Sequence, residues 1–340
     1  MGSAEIAPIR IIGAEGSPYS RKMRAILRYR RIPYHWVQRG ARDDVDTPAV
    51  PVALIPILVF PGDEAMIDST FQIRRLEAMS SERSILPPDP AMAFIDYLIE
   101  DYADEWLTKP MFHYRWAYEA DIEHARQSLP RWGNISAPEE AIQKFSKVIG
   151  ERQIGRLGVV GSNETTGPMI EESYRGLLRA LDAVLRDQLF VMGNRPGSAD
   201  FGLFGQLSQL ALFDPTPMAV AKEESYRVFT WCSVIEELSG TTVEDDQWMS
   251  RDAVPDSVQS LLGEVGRYYA PFLLGNAAAI ESGAERVECE IAGRAWTQKP
   301  FPYQAKCLGW LREAHAGLGD GDREAVDALL AGTGCEALFA

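Results

Sequence analysis

A proline-rich stretch at residues 86–90 limits the possible architecture more than any other feature of the chain. Its sequence is Leu86-Pro87-Pro88-Asp89-Pro90. A helix cannot continue through successive prolines, and a residue that precedes proline is driven out of the helical region. The stretch therefore predicts a boundary between two separately packed units, which suits a chain of 340 residues. We expect three segments, at residues 1–86, 91–240 and 241–340.

Before this boundary, short β-branched and aromatic runs alternate with turns and two helical patterns. The predicted strands lie at residues 9–12, 34–37, 57–60 and 65–67. Ser17-Pro18 and Ser69 are typical helix starts, because serine is a good N-cap and proline is favoured in the first turn. The order βαβ followed by ββα predicts a small mixed sheet covered by helices.

After the boundary, the hydrophobic pattern changes to a helical period. Residues 94–106 place large apolar side chains on one helix face and acidic ones on the other. Further helices are expected at 174–185 and at 200–212, and the second of these is apolar nearly all round, so it should be central and buried. Beyond residue 240, the pattern predicts a helix at 257–280, a β-hairpin at 287–297 and a helix at 303–314. This last segment is expected to pack on the helical domain or across a subunit contact.

Charge and cysteine content exclude several classes of function. The formal charge of −15 disfavours nucleic acid as a partner, because phosphate binding needs a basic face. The four cysteines are widely scattered, so we expect reduced thiols, no metal site and a cytoplasmic location. The start of the chain lacks a secretory pattern. The longest apolar passage, 268–280, is too short for a membrane span, so we expect no membrane association.

Four segments together carry a family resemblance. They are Ser17-Pro18-Tyr19-Ser20, Ile55-Pro56, Asp68-Ser69, and 195–201 with the sequence RPGSADF. Over residues 8–240 the chain resembles serine-type cytosolic glutathione transferases, and its length resembles the long bacterial members. The resemblance implies an α/β thioredoxin-like N-terminal domain, an all-α C-terminal domain with an extra α/β extension, and a homodimer. It also implies glutathione as co-substrate and a small hydrophobic electrophile as the second partner.

The resemblance makes Ser17 the candidate catalytic residue, with Ser20 as the second choice, and Tyr19 is expected to pack. A hydroxyl at a helix N-terminus that donates to the sulfur of glutathione lowers the pKa of that thiol and raises the thiolate fraction. The plainer interpretation of Ser17 is an N-cap, which is the commoner role of serine before a helix.

The remaining site residues follow from the same resemblance. Ile55 and a cis Pro56 would pair with the cysteinyl backbone of glutathione, and Asp68 with Ser69 would hold its γ-glutamyl end. Arg39 is a weaker candidate for the glycyl carboxylate. The predicted electrophile pocket consists of three residues, Met111, Tyr114 and Trp116. Aromatic residues at this density are more often part of a core, which is the alternative for all three.

Three further features enter the prediction. A basic island at residues 21–31 is interpreted, for most of its members, as a solvated helix face; the alternative is that one or two of them raise the local potential for an anionic tripeptide. Gly197 stands where the resembled family usually has Ser or Thr ahead of its core helix, which predicts a weaker cap for that helix. The alternatives to a transferase are a catalytically silent binding or scaffold protein of the same fold, and a glutathione-dependent isomerase or lyase.

Overall fold

The first unit is a four-stranded mixed sheet with two helices. The structure is a computed structural model that describes residues 2, 5–40 and 47–340. The strands are β1 (Ile9–Gly13), β2 (Tyr34–Gln38), β3 (Ile57–Val59) and β4 (Ala65–Met66), and the helices are α1 (Pro18–Tyr29) and α2 (Ser69–Met79). The strand order is β2-β1-β3-β4, with β1 parallel to β2 and antiparallel to β3. The predicted thioredoxin-like arrangement is confirmed.

The second unit is entirely helical. Its helices are α3 (Pro90–Glu105), α4 (Thr108–Ala117), α5 (Glu119–Gly133), α6 (Glu139–Ile154), α7 (Gly167–Asp187), α8 (Ser198–Leu210), α9 (Pro215–Glu224) and α10 (Tyr226–Ile235), with a short 3₁₀ turn at Leu157–Val160. Every residue of α8 is buried, and this helix packs against both α1 and α3. Gly205 permits the contact with α1, because a Cβ there would lie 2.9 Å from the carbonyl oxygen of Pro18. The prediction of a central, buried helix is confirmed.

The N-terminus of α8 explains the unusual glycine ahead of it. Asp96 of α3 accepts hydrogen bonds from the backbone N–H groups of Ser198 (3.1 Å) and Ala199 (3.0 Å) and from the Ser198 hydroxyl (2.5 Å). A Cβ on Gly197 would lie only 2.3 Å from Asp96 Oδ1. The cap of this helix therefore comes from a carboxylate of a neighbouring helix, and a side chain at 197 has no space.

The last hundred residues are ordered and pack on the helical unit. They form α11 (Asp256–Glu264), a π-helical turn (Val265–Tyr269), α12 (Ala270–Glu281), strands β5 (Val287–Ile291) and β6 (Arg294–Gln298), α13 (Pro302–Ala316) and α14 (Asp320–Leu330). The predicted hairpin is confirmed, and Ala292 and Gly293 both have positive φ at its turn. Trp296 on β6 packs against Trp106 of the helical unit, with ring centroids 5.4 Å apart.

Candidate functional site

The turn between β1 and α1 places the two predicted catalytic serines. Ser17 caps α1, and its Oγ accepts a hydrogen bond from Ser20 N at 3.3 Å. Ser20 is fully buried, and its Oγ accepts from Ala14 N at 3.2 Å. Ser17 is half-buried, and no acceptor for its hydroxyl hydrogen is found in the described part of the chain. Of the two hydroxyls, only that of Ser17 is thus partly accessible from outside the fold.

The loop before β3 has the backbone geometry that the resemblance implied. The peptide bond between Ile55 and Pro56 is cis. The side-chain amide of Gln72 on α2 donates to the carbonyl oxygens of Pro56 (2.9 Å) and Met66 (2.8 Å), which ties the loop to β4. Both Ile55 and Pro56 line the cavity described below.

Asp68 and Ser69 lie at the start of α2 and line the same cavity. Asp68 caps the helix by accepting from Thr70 N at 3.2 Å, and it adopts a φ of 75°. Its other carboxylate oxygen accepts a hydrogen bond from the hydroxyl of Tyr303, which belongs to α13. Tyr303, which belongs to the last hundred residues, therefore contacts Asp68, one of the residues predicted to bind glutathione.

A buried lysine lies directly beneath Ser69. Lys22 of α1 is 0% exposed, and its Nζ donates to Glu100 and Asp104 of α3 at 2.6 Å each and to Ser69 Oγ at 3.1 Å. Burial acts against the charge of Lys22, but the carboxylates of Asp104 and Glu100 outweigh it and raise the pKa of Lys22 above its ordinary value. The Ser69 hydroxyl donates to Asp104 at 3.0 Å. This network joins α1, α2 and α3 at the floor of the site.

The basic island was therefore wrongly interpreted as a solvated face. Lys22, Arg24 and Arg30 are all buried. Arg24 pairs with Glu15 and Arg30 with Glu77, so each charge has a partner that the linear sequence did not reveal.

One cavity of about 590 Å³ is lined by four of the predicted glutathione-binding residues, Ile55, Pro56, Asp68 and Ser69. Ser17 and Ser20 are not among its lining residues. Its walls come from the β2–β3 loop, the start of α2, one side of α3 and α4, the end of α6 with the 3₁₀ turn, and α13. Val52, Leu54, Val159 and Phe301 line this cavity, and each is at least 39% exposed. Such a concave, largely apolar volume is of the size that small-molecule sites have.

Acidic side chains of α3 line the inner wall of the cavity together with one lysine of α4. Burial raises the pKa of Asp101 to about 7, although a hydrogen bond from the Tyr269 hydroxyl (2.5 Å) opposes the shift. Burial and the nearby charges of Asp101 and Asp104 raise the pKa of Glu105 to about 8. Burial lowers the pKa of Lys109 to about 7. Groups that titrate near neutral pH inside a cavity are suited to proton transfer or to binding a charged ligand.

The predicted electrophile-pocket residues lie elsewhere. Met111, Tyr114 and Trp116 are all buried, and they are not among the residues that line the cavity. Tyr114 packs on Tyr118 and Tyr174, as the core alternative expected. The side of α4 that lines the cavity contains Thr108, Lys109 and Phe112 instead.

Arg39 also lies away from this cavity. It follows β2, where its backbone N–H donates to the carbonyl of Gly13 at 2.6 Å, and it is not a lining residue. Within the described ranges, no cluster of His, Cys, Asp and Glu is arranged to hold a metal ion. In the same ranges, every helix is too short or too polar to span a bilayer.

Sequence analysis missed several lining residues. Tyr19 was expected only to pack, yet it lines the cavity and donates to the Asp104 carbonyl at 2.7 Å. Tyr303 and Gln304 were not considered, because no local sequence pattern predicts that α13 lies close to the loop before β3. The one available signal was the acidic face of α3, which is too charged to be buried without a ligand, a cation or a proton.

The first unit matches a known family. Residues 11–84 match the family model for the glutathione S-transferase N-terminal domain. The matched segment contains the α1 start, the cis proline and the Asp68-Ser69 pair. With the helical unit that follows, the fold class is that of the glutathione transferases. No curated protein matches the chain.

Several solved structures are similar to the chain at low sequence identity. A glutathione S-transferase from Methylobacterium radiotolerans, in complex with glutathione sulfonate, is 17% identical; the match covers 70% of this chain and 99% of that chain, with a TM-score of 0.39. The Tau class glutathione S-transferase from mango, Mangifera indica, is 18% identical; the match covers 75% of this chain and 96% of that chain, with a TM-score of 0.42. A glutathione-bound glutathione S-transferase from Methylobacillus flagellatus is 18% identical; the match covers 68% of this chain and 96% of that chain, with a TM-score of 0.40.

Proposed function

We propose that the protein is a glutathione S-transferase, in which the thiolate of bound glutathione attacks a small hydrophobic electrophile. The observation that carries the proposal is the meeting of Ile55, cis Pro56, Asp68 and Ser69 at one cavity within the matched domain. In this proposal the backbone of Ile55, next to the cis proline, pairs with the peptide backbone of glutathione as an added strand would. The N-terminus of α2 suits a carboxylate, because the helix dipole is positive there, and Asp68 suits an ammonium.

In this proposal Ser17 activates the thiol. Its hydroxyl lies at the N-terminus of α1, where the helix dipole favours a thiolate over a thiol. Ser17 is preferred to Ser20, because the Ser20 hydroxyl is fully buried against Ala14. The electrophile would occupy the apolar remainder of the cavity, beside Phe112, rather than the predicted pocket of Met111, Tyr114 and Trp116. Arg39 has no assigned role in the proposed site.

The proposal is tested by separating the hydroxyl of Ser17 from its capping role. Ser17→Gly removes the hydroxyl but costs only a few tenths of a kcal/mol in capping energy. Ser17→Thr keeps both functions. We expect the ultraviolet thiolate absorbance that develops with glutathione to be lost in Ser17→Gly and retained in Ser17→Thr, while calorimetry shows binding in both. Equal absorbance in the two variants would contradict the role of Ser17.

Two acidic residues of the cavity wall, Asp101 and Glu105, favour a second candidate function. Burial raises the pKa of Asp101 to about 7 and that of Glu105 to about 8, and a general acid or base needs a pKa in this range. A glutathione-dependent isomerase or lyase would use such groups, whereas conjugation does not need them. Glutathione-dependent turnover that disappears in Glu105→Gln, with the thiolate absorbance intact, would favour this second function. Binding without any thiolate signal would favour a silent member of the fold.

The proposal also covers the cellular location and the oligomeric state of the protein. We infer a cytoplasmic protein, supported by the free thiols of all four cysteines. The homodimer stays a prediction, and sedimentation equilibrium on the full chain would test it.

A further inference from the structure

A corner of the cavity is rich in hydrogen-bond acceptors and lacks a cation. We call it the acceptor corner and define it by Asp101, Glu105 and Gln304, all of which line the cavity. Asp104 in the same wall is neutralised by Lys22, but neither Asp101 nor Glu105 has an ion pair with a cation in the described part of the chain. The like charges repel one another, which is one cause of the raised pKa of Glu105.

Gln304 provides an independent sign that a ligand belongs there. Its side chain is only 3% exposed, and its amide nitrogen donates to the Glu105 carbonyl oxygen at 3.0 Å. Its Oε1 is buried and has no hydrogen-bond partner within the described residues. A buried acceptor without a donor is costly and rare, so its position on a cavity wall indicates a donor that arrives with a ligand.

Among the described residues, no cation of the cavity forms an ion pair with this corner, although the charge of Lys109 acts on Glu105 from a distance. Lys109 donates to Val160 O (3.3 Å) and Gln298 Oε1 (3.0 Å) and lies over the ring of Phe272, so its amino group is held by other partners. Arg156 is exposed. Arg74 is also exposed, and its guanidinium stacks on Phe71 and Tyr97. The inner wall thus presents acceptors, while the two arginines are accessible to solvent.

We propose that the acceptor corner binds the ammonium group of an aromatic or other apolar amine. An ammonium brings three donors and a positive charge, which satisfies Gln304 Oε1 and neutralises Asp101 and Glu105 together. The rings of Tyr97, Phe112 and Trp310 line the same cavity and suit an apolar body. As the class of second substrate, this assignment rests on the proposed function, but binding of the amine itself does not require glutathione.

The test compares two ligands of nearly the same shape and opposite charge. The intact protein is titrated by calorimetry, without glutathione, with 2-phenylethylammonium and with 3-phenylpropionate. We expect the ammonium to bind at least about tenfold more tightly, which is the scale of one hydrogen bond to a charged group. Gln304→Met and Glu105→Gln should each weaken the ammonium by about tenfold. Arg156→Met, which removes an exposed cation of the same cavity, is the matched control and should leave the ammonium affinity unchanged.

Two results would overturn the proposal. One is a carboxylate that binds as tightly as the ammonium. The other is an ammonium affinity that is the same in the wild type, Gln304→Met and Glu105→Gln. Addition of glutathione then tests whether the amine is a second substrate: simultaneous binding supports that assignment, and displacement of the amine by glutathione contradicts it. Because the first titrations contain no glutathione, failure of the proposed transferase activity would leave their outcome unaffected.

Discussion

Lys22 has a role that its sequence neighbours do not show. It lies in a run of basic residues on α1, a pattern that usually indicates a solvated face, yet it has no contact with solvent. Its charge is retained because Glu100 and Asp104 are placed around it by a different helix. A buried ion pair of this kind adds little net stability, but breaking it leaves uncompensated buried charge.

We predict that Lys22→Met lowers the free energy of unfolding by about 3–5 kcal/mol, the usual cost of leaving buried charge unpaired. Urea unfolding followed by circular dichroism measures the change. Lys147→Met is the matched control, because Lys147 is 71% exposed in its pair with Glu151. The control should stay within about 0.5 kcal/mol of the wild type. A stability of Lys22→Met equal to that of the control would show that the pair is not buried as described.

Residues of the candidate site were predictable to different degrees. Ile55, cis Pro56, Asp68 and Ser69 were predicted from the family resemblance that their short motifs carry. All four line one cavity, and their role in binding glutathione stays a prediction. Gln304 was not found, because a glutamine in a helix has no signature of its own. Its significance comes from an unpaired oxygen that becomes visible only when α13 is placed against α3.

At the scale of elements, α8 shows that a side chain of a neighbouring helix can supply the N-cap that the local sequence lacks. The sequence RPGSADF correctly predicted a helix start, and Asp200 bonds the N–H of Gly197 at 2.8 Å. The missing Ser or Thr at 197 was interpreted as a weaker cap. The structure shows instead that Asp96 of α3 supplies the cap from outside the helix. The acidic face of α3 is thus turned inward, partly as a cap and partly as the cavity wall.

We predict that Gly197→Ser destabilises the protein, although serine is the better N-cap by preference. The added Cβ would lie 2.3 Å from Asp96 Oδ1, and overpacking of this kind costs about 1–3 kcal/mol. Urea unfolding of Gly197→Ser, Asp96→Ala and the double variant forms a cycle that measures their coupling. The double variant should be more stable than the sum of the single changes implies, because removal of the carboxylate makes space for the serine.

The control for this cycle is Gly263→Ser in α11. A Cβ at Gly263 meets no atom within 4 Å. Serine has the better helix propensity, so this change should be neutral or stabilising by a few tenths of a kcal/mol. Additive behaviour in the Gly197 and Asp96 cycle would contradict the assigned contact.

At the scale of the whole molecule, the last hundred residues form part of the cavity. Their helices and hairpin were predictable from local patterns, including the turn at Ala292 and Gly293. Their position was not predictable, because the contact between Tyr303 and Asp68 joins residues 235 positions apart. Hydrophobic content indicated that the segment packs on the rest of the chain, but only the tertiary structure shows that it forms a wall of the site.

The last prediction concerns the packing of residues 243–340 on the remainder of the chain. A protease recognition sequence inserted after Thr242, in the exposed loop between α10 and α11, permits a single cut in the folded protein. We expect residues 243–340 to stay bound after cleavage, because the Trp106, Phe272 and Trp296 rings pack together across the cut units. Gel filtration should show one species in native buffer and two fragments in urea, with the uncut protein as control.

Binding by the cut protein extends the same test to the cavity. If α13 stays in place, the cleaved complex should bind 2-phenylethylammonium as tightly as the uncut protein, since the acceptor corner has contributions from both sides of the cut. Separation of the fragments in native buffer would contradict the described packing. A complex that stays together but loses the ammonium would show that α13 shifts away from α3 once the chain is cut, and that continuity of the chain, rather than packing alone, holds Gln304 against Glu105.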